Sequence, residues 1–230
     1  MTSAPDSPIT AGQNQRDIEL LVPADGEIFT NEIEIKKSRF ITWIARADDE
    51  DTAREIINLA KSEFPDARHH CSAYIHEVPD GNRVERSSDD GEPSGTAGRP
   101  MLDVLQGSGL TNITAVVIRY FGGIKLGTGG LVRAYSDSVA ECLEQVKRMR
   151  RVRRVLRLIS VPAADAGRIE AELRGRGYEI VETTWGEDVE FAIAVSVDEI
   201  EQLDGEMQAL TKGASEPSRD GGEIWWELPA

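Results

Sequence analysis

The stretch ITAVVIRYFGGIKLGTGGLVRAYSDSVAECLEQV, residues 113–146, decides the reading of the chain. Its opening, ITAVVIRYF, is a continuous apolar run, which predicts a strand buried on both faces. LVRAYSDSVAECLEQV, from 131, has helical periodicity, with Leu131, Tyr135, Cys142, Val146 and Met149 on one side. Between them lies RYFGGIKLGTGGLVR (119–133), with five glycines and three cations. A Walker phosphate loop needs Lys directly after its last glycine, followed by Ser or Thr, and here Lys125 precedes Gly127. The dinucleotide pattern G-x-G-x-x-G fails as well. What remains is a glycine loop opening a helix, whose free N–H groups and partial positive charge suit an anion. Candidate anion or nucleic-acid contacts are Arg119, Lys125, Thr128, Gly129, Gly130 and Arg133. The structural alternative stays open, since glycine also permits close strand–helix packing and positive φ.

Composition narrows the class. The 230 residues are 40% hydrophobic and 29% charged, enough for a globular core. No apolar run approaches the roughly 20 residues of a membrane-spanning helix, so no membrane partner is expected. MTSAPDSPITAGQNQ has neither a basic nor an apolar signal region, and residues 1–16 read as a disordered polar leader. Cys71 and Cys142 are the only cysteines; both fall in apolar segments, as buried thiols of a cytoplasmic protein would. The net charge of −15 argues against nucleic acid, but the charge is unevenly spread. Residues 101–157 hold ten Lys and Arg against four Asp and Glu, whereas 158–230 hold five against seventeen.

Residues 28–47 carry the β-branched and aromatic residues of strands, with KKSR in their middle as a turn or a strand edge. A helix follows, with Thr52 and Glu55 as a capping box and Pro65 as its stop. CSAYIHEV (71–78) is a strand, residues 79–98 a long polar loop, and Pro100 the start of a short helix ended by Gly107. Beyond a domain boundary near 148–153 the order becomes β-α-β-β-α-β, which is ferredoxin-like. Gly177 suits a helix end, Gly186 a hairpin turn, and one of Trp225 and Trp226 should pack inward. The expected organisation is a leader (1–16), a first domain (17–149) and a second (150–230).

A second glycine-rich loop, DDGEPSGTAGRP (89–100), raises the same question as the first. Its motif residues are Asp89, Asp90, Gly91, Glu92, Ser94, Gly95 and Thr96. The carboxylates could ligate a divalent cation or form a solvated acidic turn, and EF-hand spacing is absent. Ser94 and Thr96 lie in no nucleophile elbow. Two glycine loops feeding two helix starts could face one cleft. Neighbours on a strand point to opposite faces, so His69, His70 and Cys71 do not easily ligate one metal, and a Cys–His pair would need a special geometry. The reading assigns no catalytic residue, metal or cofactor. Finally, KRMRRVRRVLR (147–157) has seven cations, including Arg150, Arg151, Arg153 and Arg154. At a helix C-terminus they would exceed what the dipole needs. A phosphate-rich partner would account for them, as would the acidic second half of the same chain.

The strings DDGEPSGTAGRPML (89–102) and VVIRYFGGIKLGTGGLVRAYS (116–136), with SRFITWIA (38–45) and HHCSAYIHE (69–77), closely resemble the YigZ/Impact family. The resemblance covers about residues 28–145. It implies an α+β chain whose first domain is similar to the second domain of a small-subunit ribosomal protein, a left-handed β-α-β arrangement. The tail is similar to elongation-factor domain five. Matched positions are 89–97, 119–123, 125–130 and 133–135. Eukaryotic members regulate translation through a ribosome-associated activator of a stress kinase, a role tied to an RWD domain missing from this sequence. The resemblance supplies no catalytic residues. It implies a cytoplasmic, non-catalytic protein whose partner is RNA, the ribosome or a translation-associated protein. A metal-assisted hydrolase using the DDGE loop and a pure protein-interaction module are the alternatives.

Overall fold

In the computed structural model, which describes residues 19–79 and 81–230, the apolar run forms a strand at the centre of a five-stranded sheet. The expected leader, 1–16, lies outside the described residues. The chain starts with β1 (Glu19–Pro23), β2 (Ile28–Ile35), β3 (Ser38–Arg46), α1 (Glu50–Glu63), β4 (His69–His76) and β5 (Val84–Ser88). Then come α2 (Gly98–Gly107), β6 (Ile113–Tyr120) and α3 (Thr128–Leu143). The sheet order is β2-β3-β6-β4-β5, with every neighbouring pair antiparallel.

Because side chains alternate across a strand, β6 feeds two cores. Ile113, Ala115 and Val117 join Met101 and Leu105 of α2 and Leu131, Tyr135 and Val139 of α3. Val116 and Ile118 face the other way, onto Ala60, Ile56 and Phe64 around α1. Helices thus cover both faces, which is why the strand carries no polar alternation. Burial of each such aliphatic side chain is worth about 1.5–3 kcal/mol.

Local signals explain most boundaries, and three expectations are corrected. Lys36 and Lys37, both at positive φ (48° and 64°), make the two-residue turn between β2 and β3. The cap of α1 is Asp49, whose Oδ1 accepts from the Thr52 N–H at 2.8 Å, so Thr52 lies inside the first turn and is no cap. Residues 84–88 are no loop: VERSS is a short polar edge strand paired with β4. α3 begins at Thr128, not 131, after Gly127 at φ 75°.

The rest comprises β7 (Arg148–Pro162), α4 (Ala163–Gly175), β8 (Glu179–Trp185), β9 (Asp188–Val195), α5 (Ile200–Leu210) and β10 (Arg219–Pro229). β7 pairs with β9, β9 with β8, and both β10 and β1 with β7. Its core gathers Ile159, Val161, Ile169, Leu173, Phe191, Leu203 and Met207. The chain divides into two compact units, one holding Leu20–Arg151 with Glu227–Ala230, the other Val152–Trp226. The molecule is therefore α+β with two units. Gly177, at φ 90°, follows the end of α4, and Gly186 donates its N–H to the Asp188 carbonyl in the β8–β9 turn. The basic run is extended along β7 rather than placed at a helix C-terminus. Trp225 and Trp226 are both half-buried, contrary to the in-and-out expectation.

Candidate anion cleft and the DDGE loop

Asp89 organises the loop before α2. Its Oδ2 accepts from the Gly95 N–H at 2.8 Å, and its Oδ1 from those of Ala97 (3.0 Å) and Gly98 (2.8 Å). Ala97 has no side chain with which to cap α2, so a carboxylate nine residues upstream of Gly98 satisfies the open helix start. Gly98 is required here, because a Cβ would lie 2.7 Å from the Ser88 nitrogen. Thr96 is buried and donates its hydroxyl to the Pro93 carbonyl, while Ser94 is exposed.

Burial tends to raise the Asp89 pKa, but the three backbone donors outweigh it and hold the carboxyl below its usual range. Asp89→Ala is expected to cost about 2 kcal/mol at neutral pH. A depressed folded pKa gives stability that is present above the unfolded value near 3.9 and lost as pH falls through the folded one. Urea unfolding of both proteins should therefore show the gap narrowing in acid; a gap independent of pH would contradict the clasp.

The loop's carboxylates do not converge. Asp90 accepts from the His70 N–H at 2.7 Å and stands 3.6 Å from Lys61 Nζ. Glu92 turns inward, where its Oε1 pairs with Arg119 Nη1 and accepts from the Tyr135 hydroxyl at 2.9 Å. Among the described residues no three His, Cys, Asp or Glu side chains are arranged to hold a metal. Asp89 itself serves as a structural clasp on the start of α2. Cys71 donates to the Asp89 carbonyl (3.0 Å) and contacts the Tyr135 hydroxyl (3.3 Å), and burial pushes its thiol up to about 12. Neither of these partners of the Cys71 sulfur is a histidine.

Glu92 and Arg119 form the floor of a cleft of about 470 Å³. Gly91 and Pro93 of the DDGE loop line it together with Phe121, Lys125, Leu126, Gly127 and Thr128 of the glycine loop. Arg68, His69 and Leu131 complete it. The two glycine loops do share one cleft. Arg119 lies between the rings of Phe40 (5.3 Å) and Phe121 (5.7 Å), is 6% exposed, and has no hydrogen-bond partner at Nε. His69 sits opposite Arg119 in the β4–β6 register, with Nδ1 2.8 Å from the Asp90 carbonyl. A carbonyl only accepts, so Nδ1 carries the hydrogen. At the cleft mouth α3 starts with no side-chain cap and no acid in its first turn; its first internal bond is from the Leu131 N–H to the Gly127 carbonyl.

Of the sequence candidates, Arg119, Lys125 and Thr128 come together with Gly91 and Glu92. Gly129 and Gly130 fall in the first turn of α3 and Arg133 on its exposed surface, all outside the cleft lining. Asp89, Asp90, Ser94, Gly95 and Thr96 also lie outside it. Phe121 and Leu126 fall within the matched motif positions without having been named as contacts; Arg68 was not foreseen, and the pairing of His69 with Arg119 across strands is what brings it in. The basic run is met by the chain's own acids: Arg151 by Asp48 (3.3 Å), Arg153 by Glu223 (3.2 Å) and Arg154 by Glu199 (3.2 Å). Arg150 lies on the same strand. None of these four lines the cleft, and Arg151, Arg153 and Arg154 pair with acids of the chain itself. No described helix is long and apolar enough to cross a membrane.

The Impact N-terminal domain model matches residues 36–143, and a domain of unknown function (DUF1949) matches 159–214. The chain is 39% identical to the Impact family member YigZ of Escherichia coli K12 over 181 residues, 79% of this chain and 89% of that one. It is 42% identical to the family member YvyE of Bacillus subtilis 168 over 186 residues, 81% of this chain and 85% of that one. A crystal structure of a hypothetical protein aligns at 38% identity and a TM-score of 0.58, covering 86% of this chain and 95% of the other. The translational regulator Yih1 is more distant, at 24% identity and a TM-score of 0.36 over 60% of this chain, and its role is its own. Both long motifs, DDGEPSGTAGRPML and VVIRYFGGIKLGTGGLVRAYS, fall within the matched span, and the chain belongs to the Impact family.

Proposed function

We propose that this Impact-family chain is a non-catalytic binding protein of the translation apparatus, which contacts RNA or the ribosome by receiving a phosphate in the cleft between its two glycine loops. The observation that carries the reading is the meeting of Arg68, Arg119 and Lys125 with the uncapped start of α3 around one concavity. Cations and free helix amides are what a phosphate needs. The reading takes two domains joined near residue 150. The first is similar to the second domain of a small-subunit ribosomal protein. The second is similar to elongation-factor domain five, a likeness supported by its β-α-β-β-α-β order.

Filter binding of the intact chain to single-stranded and duplex RNA at two salt concentrations tests this. On a single strand, log K should fall by roughly 0.7 per log[salt] for each phosphate neutralised. The slope should be shallow, because Arg151, Arg153 and Arg154 of β7 already have acidic partners. Lys125→Ala should weaken binding and flatten the slope by about one contact. Absence of binding at low salt would overturn the reading.

A further inference from the structure

We propose that the cleft selects a phosphate monoester, either at the end of an RNA strand or on a free mononucleotide, over the phosphodiester of an internal nucleotide. The inference rests on the phosphate reading above and specifies its ligand. Charge is the first argument. The lining carries three cations, Arg68, Arg119 and Lys125, against one carboxylate, Glu92. Two cations therefore remain unmatched, and the start of α3 adds the equivalent of about half a positive charge. A monoester bears −1.5 to −2 near neutral pH, with its second pKa at about 6, whereas an internal diester bears a single charge.

Shape is the second argument. A volume of about 470 Å³ falls in the roughly 300–1,000 Å³ range of small-molecule pockets, the scale of one nucleotide rather than a strand. Phe121, 46% exposed, and Leu126 give one wall an apolar face for a base or ribose. A strand would need a track of cations beyond the cleft, and Arg151, Arg153 and Arg154 are committed to acids of the chain itself. Arg119 is the third argument, independent of the helix start. It is 94% buried on the cleft floor with an unpartnered Nε, although Glu92 occupies its Nη1. A buried guanidinium donor without a partner is unusual and marks a place where a further acceptor would be favoured.

The test is fluorescence polarisation of the intact chain with three labelled single-stranded oligoribonucleotides: one with a 5′-phosphate, one with a 3′-phosphate, and one with hydroxyl ends. Unlabelled AMP serves as competitor. A phosphorylated end should bind about tenfold tighter than the hydroxyl twin, one charge-assisted hydrogen bond's worth. AMP should compete, and Lys125→Ala should erase the preference without moving the melting temperature. Equal affinity for phosphate and hydroxyl ends would overturn this inference while leaving the RNA reading standing. Saturable AMP binding without binding of any oligonucleotide would support the monoester site, assign it to a free mononucleotide, and overturn the RNA reading. Failure of both AMP and RNA to bind would overturn both.

Discussion

Gly122→Ala should destabilise the first unit by more than about 4 kcal/mol or prevent it from folding, the largest effect expected of any single methyl group in this chain. An alanine Cβ at that position would lie 2.5 Å from the Ser38 nitrogen, with the carbonyl carbon and oxygen of Lys37 nearer still. All three obstacles are backbone, so no rotamer change can relieve them. The obstructed peptide is also the tight turn between β2 and β3, where Lys36 and Lys37 already adopt positive φ. The Gly122 N–H further donates to the Ser38 hydroxyl at 3.2 Å, which ties the glycine loop to that turn. Gly129 makes a sharp control. It lies inside α3, and a methyl group added there would meet nothing within 4 Å, so Gly129→Ala should leave stability unchanged or raise it by less than about 1 kcal/mol. Differential scanning calorimetry of the three proteins decides the matter, and similar melting temperatures for both variants would refute the close-approach account.

Breaking the pair beneath the cleft should come next in size. The side chains of Arg119 and Glu92 are 7% and 4% exposed. Removing one charge leaves the other buried and uncompensated, at a cost of about 3–5 kcal/mol. Glu92→Leu strands the guanidinium between two aromatic rings, and Arg119→Met leaves Glu92 with the Tyr135 hydroxyl as its remaining short contact. The double variant Glu92→Leu with Arg119→Met has no stranded charge and should cost far less than the sum of the two single losses. A double-mutant cycle on urea unfolding should give a coupling above about 2 kcal/mol. Additive losses would mean that the two residues act separately.

The elements with strong hydrophobic periods were readable from sequence: β6, the β2–β3 pair, α3 and the β-α-β-β-α-β order of the second unit. Glu92, Arg119, Lys125 and Thr128, which line the cleft, were also singled out by the sequence, because glycine runs beside charged residues are a local signal. Three other features depend on contacts that no local pattern records. β5 is five residues of mostly polar edge strand, indistinguishable from a loop until β4 pairs with it. Asp89 acts as a cap from a distance at which capping rules do not look, so it resembled a free ligand. The cations of β7 seemed to call for an outside partner because theirs lie far along the chain, as Glu199 does for Arg154, 45 residues away.

The separation of Arg46 from Glu227 is greater still, at 181 residues, and both belong to the first unit. Arg46 is 7% exposed and is held by Asp48 (3.0 Å) and Glu227 (2.5 Å), while the Ala230 N–H donates to the Arg148 carbonyl. During synthesis, then, residues 20–151 emerge first yet wait for a closing piece that is made only after the whole second unit. Until residue 227 has left the exit tunnel, Arg46 shares a single nearby carboxylate with Arg151, and the nascent first unit is an unlatched version of itself. Any protease that clips the chain after Trp226 would return the finished protein to that same newborn state.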